Sequence, residues 1–436
     1  MPHIHVIGGQ ALRGEVRAQG SKNATLPLLA AALLSDRPVT LHNVPNLQDV
    51  EVMCAVLRSL GVSAQRIGDP PNGTVVVDAS TLTAFEPPYE LVNQMRASFL
   101  VLGPLLARCG EAGVPLPGGC EIGVRPVDEH LKALEALGAE LVQESGRIVA
   151  HAPGGRLRGA EVYLNIASVG ATENAVMAAC LAEGSSVIHN AALEPEITDL
   201  CDFLTACGAQ IEGAGSKSIT VHGLGSLSAE LDYDVIPDRI EAGTYLLAIA
   251  GTGGSGRVQG ARMAHLEACL SKLREAGAEV EPDGDGVAVA APQRLRAVNI
   301  RTDVFPGFPT DLQPQFATVL ACAEGVSTVH ETVFERRMGH AAELHRMGAQ
   351  AALSGDTLLI TGVEQLTGVP VEATDLRGAA ALVVAGLMAR GETRIAGLRH
   401  LLRGYELLPE KMAALGGRVE YVHDESDPPA QAAAAG

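Results

Sequence analysis

Apolar and polar positions along the chain settle into one motif that returns six times: an apolar helix end, a glycine, then a strand-like run. The copies are LRSLGV, LEALGAEL, LTACGAQIE, LREAGAEVE, LHRMGAQAA and MAALGGRVE, with their glycines at Gly61, Gly138, Gly208, Gly277, Gly348 and Gly416. Successive glycines lie 77, 70, 69, 71 and 68 residues apart. That spacing is too regular for accidental helix caps and too long for solenoid repeats. A second mark recurs in the same units, a small-residue helix that ends before β-branched residues, as in AACLAEGSSVIHN, TVLACAEGVSTVHE and VVAGLMARGETRIAG. Each unit therefore holds two helices and several strands, and the alternation predicts α/β layers. Divided three and three, the units make two domains of ordinary size. One closed ring or three pairs satisfy the period equally.

Composition narrows the class. With 47% hydrophobic and 19% charged residues in 436, the chain reads as compact and globular. A formal charge of −19 repels polyanions, and 3% aromatics with no Trp leaves few stacking platforms, so nucleic acid is not expected as a partner. The longest apolar run, GAAALVVAGLMA at 378–389, is too short to span a bilayer, and MPHIHVIGG lacks a secretion signal's layout. A cytoplasmic protein with no membrane partner is the expectation. Residues 425–436, Pro-containing and then Ala-rich, are expected to be a disordered tail.

The start of the small-residue helix carries polar residues in every copy: GSKNATLP, QMRASFLV, SVGATENAV, IPDRIEAGT, FPTDLQPQF and ATDLRGAAA. These present Lys22, Arg96, Ser168, Asp238, Asp311 and Asp375. Ser and Asp there predict helix caps, and Asp238 and Asp375 read first as caps or as charge partners between domains. Lys22 fits less well, because the chain has only five lysines against 27 arginines and a helix N-terminus disfavours a cation. Either a bound anion at Ser21, Lys22 and Asn23 compensates it, or a carboxylate on a neighbouring helix does.

Seven of the eight cysteines, Cys54, Cys109, Cys180, Cys201, Cys207, Cys269 and Cys322, show no metal spacing and read as small core residues. Cys120 differs. It follows Gly118 and Gly119 in PLPGGCEIGVRPVDEH, with Arg125 five residues on, and on loop chemistry alone it reads either as a surface cysteine of no consequence or as a reactive thiol near a cation. A hydrolase with Cys120 attacking and His130 as base lacks a recognisable orienting residue.

At these residues the sequence resembles the UDP-N-acetylglucosamine 1-carboxyvinyltransferase family of enolpyruvyl transferases. The resemblance runs nearly end to end through GSKNATLPLLAAALLSD, MRAS, LPGGCEIGVRPVD, SVGATEN, AALEPEITDL, IPDRIEAGT, FPTDLQ, ATDLR and RGYE. PGGC followed by RPVD is its most specific part. The resemblance implies a two-domain inside-out α/β barrel of six βαβαββ repeats, with one domain over 22–235 and the other over 1–21 plus 236–424. Substrates are then expected in the cleft between the domains.

The implied reaction joins phosphoenolpyruvate to the 3-hydroxyl of UDP-N-acetylglucosamine and releases phosphate, the first committed step of peptidoglycan synthesis, with no metal or organic cofactor. By the same resemblance Cys120 is the loop acid that protonates the methylene carbon, Lys22, Arg125 and Arg403 clamp phosphoenolpyruvate, and Asp311 faces the sugar hydroxyl as base or positioning acceptor. Asn23, Arg96, Arg125, Pro126, Val127, Asp128, Glu129, Ser168, Val169, Gly170 and Val333 match positions that bind the nucleotide sugar. Cysteine at 120, where some relatives carry aspartate, implies inhibition by fosfomycin.

Three departures stand out: Ile166 where some relatives have lysine, Arg336 in VFERR where VFENR is more familiar, and Gly378 after TDLR. The rivals are 5-enolpyruvylshikimate-3-phosphate synthase, which lacks the PGGC loop, and a paralogue that binds UDP-N-acetylglucosamine without turning it over.

Overall fold

The computed structural model describes residues 2–422 apart from 69, 72, 118–121 and 124–126. The expected tail therefore lies outside the described residues.

The six-fold motif has a local origin. Each glycine sits at positive φ, from 78° at Gly416 to 103° at Gly208 and Gly277, just past a helix end. In every copy the residue after the glycine donates its N–H back five residues, as from Val62 to Leu57, Ala139 to Leu134, Ala209 to Leu204, Ala278 to Leu273, Ala349 to Leu344 and Gly417 to Met412. This is the Schellman closure, which requires a left-handed residue at the glycine and satisfies carbonyls that the helix end leaves open. The accepting residues Leu57, Leu134, Leu204, Leu273, Leu344 and Met412 are fully buried, so one leucine-like residue both closes the helix and anchors it in the core.

The described chain forms two compact units, one of residues 20–117 and 127–236, the other of residues 2–19, 122–123 and 237–422. Each has its own hydrophobic core. Six sheets are present among the described residues, three per unit. Five share one design, a parallel edge pair continued by two antiparallel pairings, as in the order Glu161–Tyr163, Ser185–His189, Ser218–His222, Gln210–Glu212. The sixth has three strands, Glu111–Pro115, Arg147–His151 and Glu140–Glu144. Where its parallel edge strand belongs, the Phe85 carbonyl accepts one bond from the Gly113 N–H, and Pro87 and Pro88 follow without donors to extend the pairing.

Both units borrow strands to complete their sheets. Leu231–Asp234 pairs in parallel with Val39–Val44, closing the end of the first unit onto its beginning. In the second unit Arg13–Arg17 lies parallel to Ser255–Gln259, and His3–Ile7 sits between Glu392–Ala396 and Arg418–Val422.

Inside each unit run three small-residue helices: Lys22–Ala31, Leu102–Cys109 and Val169–Ala179 in the first, Arg239–Gly251, Gln313–Leu320 and Leu376–Met388 in the second. They are apolar nearly all round because every face is covered; in Leu376–Met388 each residue from Arg377 on is buried. Small side chains allow the close approach. A Cβ on Gly103 would stand 2.6 Å from Asn174 Oδ1 on the adjacent helix. The result is helices inside and sheets outside, with the polar helix starts as the chemically distinctive positions of each unit.

Candidate active site

In the first unit Ser21 caps the helix Lys22–Ala31, its Oγ accepting from the Ala24 N–H at 3.2 Å. Lys22 is buried and its Nζ stands 3.1 Å from Asp49 Oδ2, on the first turn of the helix Gln48–Ser59. Of the two partners expected for Lys22, the neighbouring carboxylate is present. Asn23 is half-buried at the next position, and Pro27 withholds the amide that would otherwise bond the Asn23 carbonyl. Arg96, half-buried, opens the 3-10 turn Arg96–Val101 that leads into Leu102–Cys109.

Ser168 caps the helix Val169–Ala179, accepting from the Ala171 N–H at 3.3 Å, with Val169 and Gly170 half-buried in its first turn. A Cβ on Gly170 would meet His130 Cε1 at 2.9 Å, so the glycine makes room for that ring. The imidazole is fixed by a chain of hydrogen bonds. The Gly103 N–H donates to Asn174 Oδ1 at 2.8 Å, which turns the amide Nδ2 toward His130 Nδ1, also at 2.8 Å. Nδ1 therefore accepts and the ring proton sits on Nε2. His130 is thus a scaffold between the helix Asp128–Ala136 and the Ser168 helix.

Asp128 is exposed and Val127 half-buried at the start of that helix. Glu129 spends its carboxylate on Asn165, accepting from the backbone N–H at 2.7 Å and the side-chain amide at 2.8 Å. This ties down the loop that carries the exposed Ile166 into the Ser168 cap.

In the second unit Asp238 and Asp375 are caps. Asp238 Oδ1 accepts from Ile240 and Glu241 N–H at 2.8 and 3.0 Å, and Asp375 Oδ1 from Arg377 and Gly378 at 2.9 and 3.0 Å. Asp311 does something else. Its Oδ1 lies 2.7 Å from Arg337 Nη1 and its Oδ2 2.7 Å from Arg377 Nη2, both guanidiniums being about 5% exposed. Burial pulls the Arg377 pKa down, but the Asp311 charge outweighs it and holds the guanidinium above its usual range. Arg337 also donates to Thr310 Oγ1 at 2.9 Å, and Thr310 donates to Glu331. Glu331 in turn receives the Val333 and Phe334 N–H groups at 2.8 and 3.1 Å, which sets the turn that exposes Val333. Arg403 is half-buried in the turn after Leu398–Leu401.

Cys120, Arg125 and Pro126 lie outside the described residues. Among the other cysteines, burial pushes the thiols of Cys54, Cys201, Cys207 and Cys269 up to about 12. The core reading needs two corrections: Cys109 is exposed, because it ends its helix beside the left-handed Gly110, and Cys322 is half-buried at the edge of its unit's core. Sequence reasoning missed Asp49, Arg337 and Arg377 as partners of the singled-out residues. Asp49 opens a helix in an ordinary acidic first turn, so nothing local marked it. Among the described residues no three His, Cys, Asp or Glu side chains group as a metal site, and no helix is long and apolar enough to cross a membrane.

Layered repeats whose inner helix starts carry cationic and acidic side chains define the enolpyruvyl transferase fold. The chain superposes on the enolpyruvyl transferase NikO from Streptomyces tendae with a TM-score of 0.85 at 28% identity, covering 96% of this chain and 98% of that one. It superposes on an EPSP synthase from Acinetobacter baumannii with a TM-score of 0.74 at 18% identity, covering 97% and 100%, a likeness of fold. The chain belongs to the EPSP synthase (3-phosphoshikimate 1-carboxyvinyltransferase) family, whose profile matches residues 6–412. It is 50% identical over 425 residues to a UDP-N-acetylglucosamine 1-carboxyvinyltransferase of Novosphingobium aromaticivorans, covering 97% of this chain and 99% of the relative. A protein of the same name from Gloeobacter violaceus is 50% identical over 435 residues, covering 100% and 93%.

Proposed function

We propose that this protein transfers the enolpyruvyl group of phosphoenolpyruvate to the 3-hydroxyl of UDP-N-acetylglucosamine and releases phosphate. Identity of 50% along essentially the whole chain to two proteins named for that reaction carries the reading. The site chemistry agrees with it. The hydroxyl oxygen attacks C2 of phosphoenolpyruvate as the methylene carbon gains a proton, giving a tetrahedral phospholactyl intermediate. Loss of a proton from the new methyl group then expels phosphate and restores the double bond.

Such a path needs an acid at the methylene, an acceptor at the hydroxyl and fixed cations on the phosphate and carboxylate. Cys120 is assigned as the acid, and Lys22, Arg125 and Arg403 as the cations. Asp311 is assigned to face the hydroxyl as base or positioning acceptor, and a guanidinium at each of its oxygens fixes the orientation of the carboxylate. Asn23, Arg96, Ser168, Val169, Gly170, Val333 and the backbone of 125–129 are assigned to the nucleotide sugar. Glu129, whose carboxylate holds Asn165, serves through its main chain. The two units correspond in this reading to the family's two domains.

Phosphate release from phosphoenolpyruvate, measured with UDP-N-acetylglucosamine and in parallel with shikimate-3-phosphate, tests the proposal. Release that depends on the nucleotide sugar supports it. Release only with shikimate-3-phosphate moves the protein to the sister activity, and nucleotide binding without release in either arm makes it a binding paralogue.

A further inference from the structure

The turn that carries Arg403 is held by a residue from the other end of its unit. Gln19 is about 4% exposed, and its side-chain amide bridges two backbone groups of that turn. Its Nε2 donates to the Gly404 carbonyl at 3.1 Å, and its Oε1 accepts from the Glu406 N–H at 2.9 Å. Both groups flank the fully buried Tyr405, where an unsatisfied amide or carbonyl would carry a desolvation penalty. A primary amide offers a donor and an acceptor in one rigid plane, so a single side chain pins the turn at two points.

Gln19 is itself immobilised. Its backbone N–H donates to Glu241 Oε2 at 2.6 Å, and its carbonyl accepts from the Asp238 N–H at 2.8 Å. Glu241 is buried and is held by Tyr245 OH at 2.9 Å and Lys411 Nζ at 2.6 Å, and Lys411 lies on Leu408–Ala414, the helix that follows the turn. Tyr405 OH stands 2.9 Å from Thr244 Oγ1 on the Asp238-capped helix. A Cβ on Gly404 would come 2.8 Å from Leu376, so the turn also rests on the helix whose Arg377 holds Asp311.

We propose that Gln19 is a positioning residue for Arg403: it sets where the guanidinium starts from by bonding the two backbone groups on either side of Tyr405. The inference rests on the reading of Arg403 as a clamp on phosphoenolpyruvate. Gln19 touches no substrate in this scheme and acts only through the turn.

The test is a double-mutant cycle on the full-length protein with Gln19→Met, Arg403→Ala and the pair, reading KM for each substrate. Gln19→Met keeps the length and removes both amide bonds. Two lost hydrogen bonds to buried backbone predict a rise of about tenfold in KM for phosphoenolpyruvate, with KM for UDP-N-acetylglucosamine nearly unchanged. In the Arg403→Ala background the same change should add little, because the group it positions is gone. Faster amide hydrogen exchange across 402–408 should accompany it. If Gln19→Met multiplies onto the Arg403→Ala defect, or raises both KM values in parallel, the positioning role is overturned and Gln19 is merely structural. If Arg403→Ala alone leaves KM for phosphoenolpyruvate unchanged, the clamp reading falls and takes this inference with it. Should Gln19→Met fail to fold, Gln19→Asn, one methylene short of spanning both bonds, carries the same expectations.

Discussion

Lys22 and Asp49 form a nearly dry ion pair, and breaking such a pair from one side costs stability. Asp49→Asn is therefore expected to lower the thermal midpoint. Inorganic phosphate should restore much of the loss if Lys22 faces an anion site; equal rescue by chloride at matched ionic strength would refute that. At Asp311 the two arginines make geometry the sensitive quantity. Arg377→Lys keeps the charge but loses the planar fork, and a fall in kcat of tenfold or more with little change in either KM is expected in steady-state assays. Thiols raised to about 12 hold almost no thiolate at neutral pH, which leaves Cys120, the exposed Cys109 and the half-buried Cys322 as sites for an electrophile, with burial raising the last two thiols as well. Fosfomycin should add one adduct by intact mass, absent in Cys120→Ala and present in Cys109→Ala; full activity after saturating treatment would contradict an essential Cys120.

At the scale of elements, the Schellman closures explain why six glycines recur and also give a clean measurement. Gly208 has φ of 103° and no atom within 4 Å of the Cβ that alanine would add, so Gly208→Ala meets conformational strain and no clash. Denaturant unfolding should show a loss of about 1 kcal/mol, the cost of a left-handed residue with a side chain. A loss near zero would mean the helix end relaxes into another cap. The six polar helix starts look alike in sequence yet divide by partner. Asp238 and Asp375 have backbone N–H groups within reach and cap, whereas Asp311, on a 3-10 turn, receives two guanidiniums. Helix-start spacing exposed all six, and only three-dimensional neighbours separated them.

For the whole molecule, buried titratable groups set the pH response. His340 is buried, and burial lowers its pKa from 6.5 to about 4 despite the nearby Asp375. The unfolded chain then binds more protons between those values, so its contribution is complete above pH 6.5 and is lost as the pH falls toward 4, up to roughly 3 kcal/mol. Glu173 has the opposite sign: burial first, then Glu196 and Glu194, raises its pKa well above the usual carboxylate value. Its contribution is complete below 4.5 and is lost as the pH rises, so Glu173→Gln should stabilise the protein at neutral pH and cease to do so in acid. Thermal melts from pH 4 to 8 on both His340→Gln and Glu173→Gln check the two signs; unchanged pH slopes would place these groups in contact with water.

The repeat count, the α/β class and the helix starts that bear Lys22, Arg96, Ser168 and Asp311 were determined by the sequence alone, because periodicity, glycine at left-handed closures and capping chemistry are local properties. So was the family, through motifs whose residues sit close together in the chain, such as PGGC with RPVD. The tertiary structure decided who stands beside whom: Asp49 against Lys22 across 27 residues, Arg337 and Arg377 against Asp311, Gln19 against Glu406 across 387. Such pairings depend on which sheet edges and helix faces the folded core brings together. Burial energy fixes that for each unit as a whole, and no window of sequence contains it.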